Sequence, residues 1–284
     1  MIAFIGMGLL GSNFVKAMLR RGEKVNVWNR THEKAQALEE YGATSYNDIQ
    51  DAVRGAERVH LTLKDDAVVN DILAQMEAAL MPGCLIIDHT TTTAQGAAER
   101  TELWKTKGFT YVHAPVFMGP QNALESTGVM LISGAPEVVA LVEPIITPMT
   151  GKVVNFGTKN NTAAGMKLIG NLFLITMTAG LVDALLLSKA LGIDVETVNA
   201  LFSSWNPAGM LGARLAKITN ETFNQPTWEL NMARKDARLM MEEAQHGDVL
   251  LKMIPAIAAE MDQWIAKGFG NADWTVIGKD SFLK

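Results

Sequence analysis

The sequence predicts an α/β domain built on a parallel sheet, followed by an all-helical domain, with one long helix joining them. Three observations lead there. Over the first 155 or so of 284 residues, short apolar runs alternate with amphipathic helical patterns. After Gly157 the strand signal almost vanishes. Between the two regimes, residues 162–190 read as a single uninterrupted helical run.

Taken in order, the strands are expected over residues 2–5, 24–28, 58–63, 84–88, 110–113, 129–133 and 152–155. The helices between them are expected over 9–21, 32–41, 66–79, 94–107 and 136–149. Strands spaced by helices of that length imply βαβ units and a parallel sheet covered on both faces. The run from Thr162 follows Lys159-Asn160-Asn161, where Asn161 suits an N-cap, and its 29 residues would span about 43 Å. Beyond it the punctuation is Gly192, Pro207, Pro226, Gly247, Pro255 and Gly268, with helical spacing throughout. The expected domains are 1–160 and 161–284, with the 162–190 helix as spine.

Composition narrows the function classes. The chain is 48% hydrophobic and 19% charged, the balance of a soluble globular protein. A net charge of −5 argues against a nucleic-acid surface. One cysteine, Cys84, excludes an internal disulfide and a cysteine metal cluster, and points to a reducing, cytoplasmic setting. His32, His60, His89, His113 and His246 show no metal-ligand spacing. The apolar opening lacks a basic region before it and reads as a strand. The most apolar stretch, 172–182, falls short of the roughly 20 residues a bilayer requires and is expected to be a buried helix, so no membrane partner is expected.

Gly6-Met7-Gly8-Leu9-Leu10-Gly11 is a G-x-G-x-x-G between a predicted strand and a predicted helix, with a second strand behind it. That context marks a Rossmann dinucleotide-binding domain. Gly6 permits the tight turn, Gly8 admits a pyrophosphate and Gly11 lets helix and strand close up. The second strand ends Trp28-Asn29-Arg30-Thr31. No acid is there for a ribose 2′-hydroxyl, while Arg30 and Thr31 suit a 2′-phosphate, so the expected cofactor is NADP.

These segments resemble the β-hydroxyacid dehydrogenases, relatives of 3-hydroxyisobutyrate and 6-phosphogluconate dehydrogenases, along nearly the whole chain. FIGMGLLGSN with VNVWNRT resembles the family's nucleotide-binding start. LTLKDDAVVNDIL is similar to its third-strand loop, which implies that Leu63 and Lys64 pass the cofactor. DHTTTT, residues 88–93, resembles the segment near the nicotinamide and brings in Thr91. WELNMARKDARL resembles the segment whose lysine, here Lys235 beside Asp236, approaches the cofactor, and GFGNADWTVI resembles the closing segment. Without the family, Lys235 and Asp236 read equally as a surface charge pair. The resemblance implies a Rossmann domain, a connecting helix, an all-α domain, and an active site in the cleft between the domains.

GMKLIGN, residues 165–171, carries Lys167 and Asn171. Positions i and i+4 lie about 40° apart on a helix, so the two share a face. From spacing alone Lys167 reads as well as a residue reaching out to solvent. The resemblance makes it the general acid/base of a hydride transfer, with Asn171 holding the ammonium or the substrate oxygen.

One loop departs from the family pattern. Where the family has Asp-x-Pro-Val-Ser-Gly-Gly, this chain has His113-Ala114-Pro115-Val116-Phe117-Met118-Gly119. Phe117, Met118 and Gly119 are the expected substrate contacts with Lys167 and Asn171; backbone N–H groups there still allow a carboxylate, while the change makes an apolar or larger carbonyl substrate more plausible. Trp205, Asn206, Met210, Trp228 and Met232 could extend the pocket, although ordinary packing accounts for each equally well. His113 reads as a structural histidine or, less simply, a switchable group. The expected activity is oxidoreduction of a small hydroxyacid, aldehyde or keto compound. Imine reduction on the same scaffold and non-catalytic NADP binding are the alternatives. A homodimer or homotetramer is expected from the apolar spine and 16 methionines.

Overall fold

In the computed structural model, which describes residues 1–282, the opening run is β1 (Ile2–Ile5), with all four residues buried. It lies between two parallel neighbours, β2 (Val25–Trp28) and β4 (Arg58–Leu61), and a packed cluster covers each of its faces. The rest of the first region runs β3 (Thr44–Ser45), β5 (Leu85–Asp88), β6 (Thr110–His113), β7 (Val116–Phe117), β8 (Val129–Ile132) and β9 (Lys152–Asn155). Its helices are α1 (Leu9–Arg20), α2 (His32–Gln36), α3 (Ile49–Val53), α4 (Asp66–Met76), α5 (Ala94–Thr106), α6 (Pro120–Glu125) and α7 (Pro136–Ile146).

Six parallel strands form the main sheet in the order β3-β2-β1-β4-β5-β6. The order reverses direction beside β1, which puts the ends of β1 and β4 at a switch point where such sheets bind ligands. Successive β1 residues feed opposite faces. Phe4 joins Phe14, Met18, Val27 and Ile87 on one side, and Ile5 joins Val59, Leu61, Leu73 and Ile86 on the other. Cys84 lies in the second cluster, where burial pushes its thiol up to about 11 and leaves it inert.

The single sheet expected from the sequence is in fact two. β7, β8 and β9 form a separate three-stranded sheet in which β7 and β8 are antiparallel. β3, β7, α3 and α6 are too short to show a period: two residues each for the strands and five and six for the helices. The helices expected over 32–41, 66–79 and 136–149 each end in a 3₁₀ turn, at Glu39–Tyr41, Glu77–Ala79 and Thr147–Met149.

The second region is helical: α8 (Thr162–Ala190), α9 (Val195–Ser204), α10 (Leu211–Thr219), α11 (Leu230–His246) and α12 (Ile254–Trp264). The Asn161 carbonyl accepts from the Gly165 N–H, the bond expected of an N-cap residue. Two compact units divide the chain, Met1–Leu172 and Phe173–Lys284, and the division falls inside α8. The second unit has its own core of Phe223, Leu230, Ala233, Met261, Trp264 and Val276. Its polar centre is Asp273, fully buried, which accepts from Lys217 Nζ at 2.7 Å and from the N–H and hydroxyl groups of Thr227 and Thr275. Those donors hold its carboxyl well below the usual carboxylate range against the opposing effect of burial.

α8 corrects another expectation. The sequence reading makes it a buried helix, yet Ile169 is 60% exposed, Ile175 69% and Met177 51%. The helix is apolar on more than one face, and the chain covers only part of it. At 29 residues it is long and apolar enough, by length and composition alone, to cross a membrane. Lys167 and Asp183, however, are both buried within protein. Asp183 caps the start of α12, accepting from the N–H groups of Lys252, Met253 and Ile254.

Candidate active site

The glycine-rich turn leaves β1 at Gly6, whose φ is +98°. A Cβ there would stand 2.2 Å from the Thr62 carbonyl oxygen, so both the conformation and the close approach demand glycine. A Cβ on Gly11 would stand 2.0 Å from the Gly6 oxygen and 2.3 Å from Thr62 Oγ1. Thr62 Oγ1 donates to the Gly6 carbonyl at 2.7 Å and fastens the turn to the end of β4. Gly8, the N-cap of α1, is different: nothing lies within 4 Å of its would-be Cβ. The open side of the turn thus faces outward, where the first N–H groups of α1, at Leu9, Leu10 and Gly11, have no intrahelical acceptors. This cradle fits a pyrophosphate.

Met7 and Asn29 behave differently from their neighbours in the motif. The Met7 side chain is buried in the core, and its N–H donates to Asn29 Oδ1 at 2.9 Å. Asn29 Nδ2 in turn donates to the Thr31 carbonyl at 2.8 Å. The pair braces the turn against the end of β2, beside the cradle where both are expected to meet the cofactor. Arg30 is exposed just beyond. Thr31 occupies the N-cap of α2 without a side-chain capping bond, which leaves its hydroxyl for another acceptor.

The loop after β5 is held by a buried network. Asp88 Oδ1 accepts from the Thr90 N–H, and Asp88 Oδ2 accepts from the Tyr111 hydroxyl at 2.6 Å. Arg100, 3% exposed, donates to Tyr111, Asp66 and Asn70. His113 Nε2 donates to the Thr90 carbonyl at 2.7 Å, and the Leu63 N–H donates to Thr90 Oγ1. His113 is therefore structural, with burial lowering its pKa. Its neighbour His89 donates through Nδ1 to the Ala114 carbonyl and accepts through Nε2 from His60 Nδ1 at 3.0 Å.

Lys167 enters this wall from α8. It is 8% exposed, and its Nζ donates to Asn171 Oδ1 at 3.0 Å. The same Nζ lies 4.2 Å from the centre of the Phe117 ring. Burial lowers its pKa. It lines a cleft of about 350 Å³ with Gly8, Leu9, Leu10 and Gly11 of the turn, with Leu63, Lys64 and Thr91, and with Met118. Reading it as a solvent-seeking residue fails on that burial. Gly119 is the N-cap of α6, and its N–H is taken by Asn122 Oδ1 at 2.9 Å.

Thr62, His89, Thr90 and Val116 also line the cleft and were not singled out in the sequence. The first three follow the carboxyl ends of β4 and β5, and that rule of parallel sheets was the available signal. Lys235, in the second unit, is exposed on α11 with its Nζ 2.9 Å from Asp236 Oδ1. Arg234 and Arg238 pair with Asp262 and Glu242. Among the described residues, no group of histidine, cysteine, aspartate and glutamate could hold a metal ion.

A parallel sheet in this order, a glycine cradle at its switch point and a buried lysine on the same cleft define a dinucleotide-dependent oxidoreductase. Residues 1–157 match the family described as the NAD binding domain of 6-phosphogluconate dehydrogenase. The chain belongs to that family, within the β-hydroxyacid dehydrogenases. It is 24% identical to the uncharacterized oxidoreductase YfjR of Bacillus subtilis, over 98% of each chain. It is 26% identical to 3-sulfolactaldehyde reductase of Escherichia coli, over 97% of this chain and 94% of that one. An imine reductase from Myxococcus stipitatus in complex with NADP+ has the same fold, with a TM-score of 0.91, 99% coverage of both chains and 19% identity.

Proposed function

We propose that this oxidoreductase uses NADP(H) to interconvert a small hydroxyacid or alcohol and its aldehyde or keto counterpart, with Lys167 as general acid/base. The observation that carries this is a buried ammonium on the same cleft wall as the glycine cradle. The nicotinamide, when bound, supplies or accepts the hydride. Lys167 Nζ gives a proton to the carbonyl oxygen in reduction and takes it from the hydroxyl in oxidation. Desolvation lowers its pKa below the ordinary lysine value, which eases release of the proton.

Asn171 Oδ1 fixes the direction of the amine, and its Nδ2 is left to donate to the substrate oxygen. The N–H groups of the first turn of α1 hold the pyrophosphate. Arg30 and Thr31 take the 2′-phosphate, a reading supported by the lack of an acid after β2. Leu63, Lys64 and Thr91 flank the cofactor, and Lys235 is a further contact carried over from the family. Phe117, Met118 and Gly119 form the substrate wall.

The exposed apolar side chains of α8, Ile169, Ile175 and Met177 among them, support a homodimer or homotetramer, and the single cysteine supports a cytoplasmic setting. Imine reduction is the second reading. It is favoured by Phe117 and Met118, which offer no polar side chain to a carboxylate, and opposed by Lys167.

The test is NADPH consumption against short aldehydes, keto acids and cyclic imines, with hydroxyacids and NADP for the reverse direction. Turnover of a carbonyl that Lys167→Ala lowers by a factor of about 10²–10⁴, with NADPH affinity little changed, is the expected result. Equal turnover in that variant refutes the role of the lysine. Tight NADPH binding with no turnover of any compound favours a scaffold protein.

A further inference from the structure

We infer that the substrate wall is built to take a neutral carbonyl compound and to reject one with a carboxylate near the reacting carbon, and that two residue pairs, Phe117 with Gly170 and Met118 with Gly128, set this preference. The inference rests on the reductase reading above and narrows its substrate class.

Both bulky side chains are seated against bare glycines. A Cβ on Gly170 would stand 2.3 Å from Phe117 Cζ and 2.9 Å from Cε1, closer than real contacts allow. A Cβ on Gly128 would stand 2.8 Å from Met118 Cγ, and Gly128 also holds a φ of +82°. The ring and the thioether therefore have fixed seats, and each seat exists because the facing residue lacks a side chain.

The chemistry of the wall follows from what occupies it. A carboxylate moved out of water needs a cation or several N–H or O–H donors. The Phe117 and Met118 side chains supply neither, and the Gly119 N–H is already bonded to Asn122 Oδ1. Lys64 and Lys167 are the charged residues on the cleft. Lys64 is 84% exposed and lies 3.7 Å from Asp65 Oδ2. The Lys167 ammonium has three N–H groups. One donates to Asn171 Oδ1 and another meets the Phe117 ring, which leaves one for a single substrate oxygen. That is enough for a carbonyl undergoing reduction; a carboxylate as well would have only the Thr90 and Thr91 hydroxyls and no second buried cation on the cleft.

The experiment compares two aldehydes that differ only in charge, 4-oxobutanoate and its methyl ester, by NADPH oxidation. The wild type is expected to favour the ester at least tenfold in kcat/KM. Phe117→Ser with Met118→Gly, which adds a hydroxyl and exposes backbone, is expected to reverse or erase that ratio. Preference of the wild type for the acid overturns the inference and leaves the reductase reading intact, as does an unchanged ratio in the double variant. Turnover of neither, on enzyme that also turns over no member of the wider panel, removes the reductase reading and this inference together. Thermal melts test the seats without activity. Gly170→Ala should lower Tm, and Phe117→Ala in the same chain should restore it. An unperturbed Gly170→Ala melt overturns the pairing.

Discussion

Lys167 and Asn171 stand one turn apart on α8, with the lysine Nζ donating to the asparagine Oδ1 across 3.0 Å. A neutral amide orients the ammonium without adding a counter-charge, so burial remains the main influence on the lysine and its pKa is lowered. In the reductive direction the protonated amine is the active form. The rate should therefore fall as pH rises through a pKa below the ordinary lysine value. Asn171→Asp puts a carboxylate against the ammonium and favours its charged form. The alkaline limb of kcat should then move up by about one unit or more. A pH–rate profile checks this, and an unmoved limb argues that Lys167 is not the titrating group.

Gly8 and Gly11 should separate binding from folding. Gly8→Ala meets no protein atom within 4 Å, so the fold should tolerate it while the cradle loses room for the pyrophosphate. Gly11→Ala meets the Gly6 oxygen at 2.0 Å, so the turn itself must distort. The expected outcome is a near-wild-type melt with weakened NADPH binding for Gly8→Ala, and a lowered melt for Gly11→Ala. Fluorescence titration and calorimetry distinguish the two.

Arg30 should decide between the two nicotinamide cofactors. Losing a charge-assisted contact to a 2′-phosphate costs about 1.5–3 kcal/mol, or roughly 10–100-fold in affinity. Arg30→Ala should weaken NADPH by that factor and leave NADH unchanged. Equal effects on both cofactors would show that the guanidinium does not read the 2′-phosphate.

The histidines beneath the cleft should make the fold acid-sensitive. His60 and His89 are buried and bonded to each other, and burial drives both pKa values down, that of His89 to about 4. The unfolded chain binds protons at these sites near pH 6.5, so it gains over the folded form as pH falls. Stability should decline from about pH 6.5 toward pH 4, with His89 alone accounting for up to roughly 3 kcal/mol at the lower end. Urea midpoints across that range provide the check, and a flat profile would contradict the neutral pair.

Much of this was legible in the sequence because the signals were periodic or local. β1, the 29-residue α8 and the glycine turn each announce themselves within a short window. What was not legible depended on partners distant in the chain. Val116 and Phe117 pair antiparallel with β8, a contact that no local pattern encodes. The Met7 N–H is bonded to Asn29, 22 residues on, a brace that the motif by itself does not reveal. The seat of the Phe117 ring against Gly170 joins segments 53 residues apart, and neither shows it alone. Burial of α8 was overestimated because apolar composition reveals that a surface needs covering, and not what covers it.

The facing of Phe117 by Gly170 also ties the two positions together. With the ring where it lies, a Cβ at position 170 would stand 2.3 Å from Phe117 Cζ, so a larger residue there requires the ring to shift or shrink. The dependence runs one way: residue 117 can change alone, whereas a larger residue at 170 calls for a smaller one at 117.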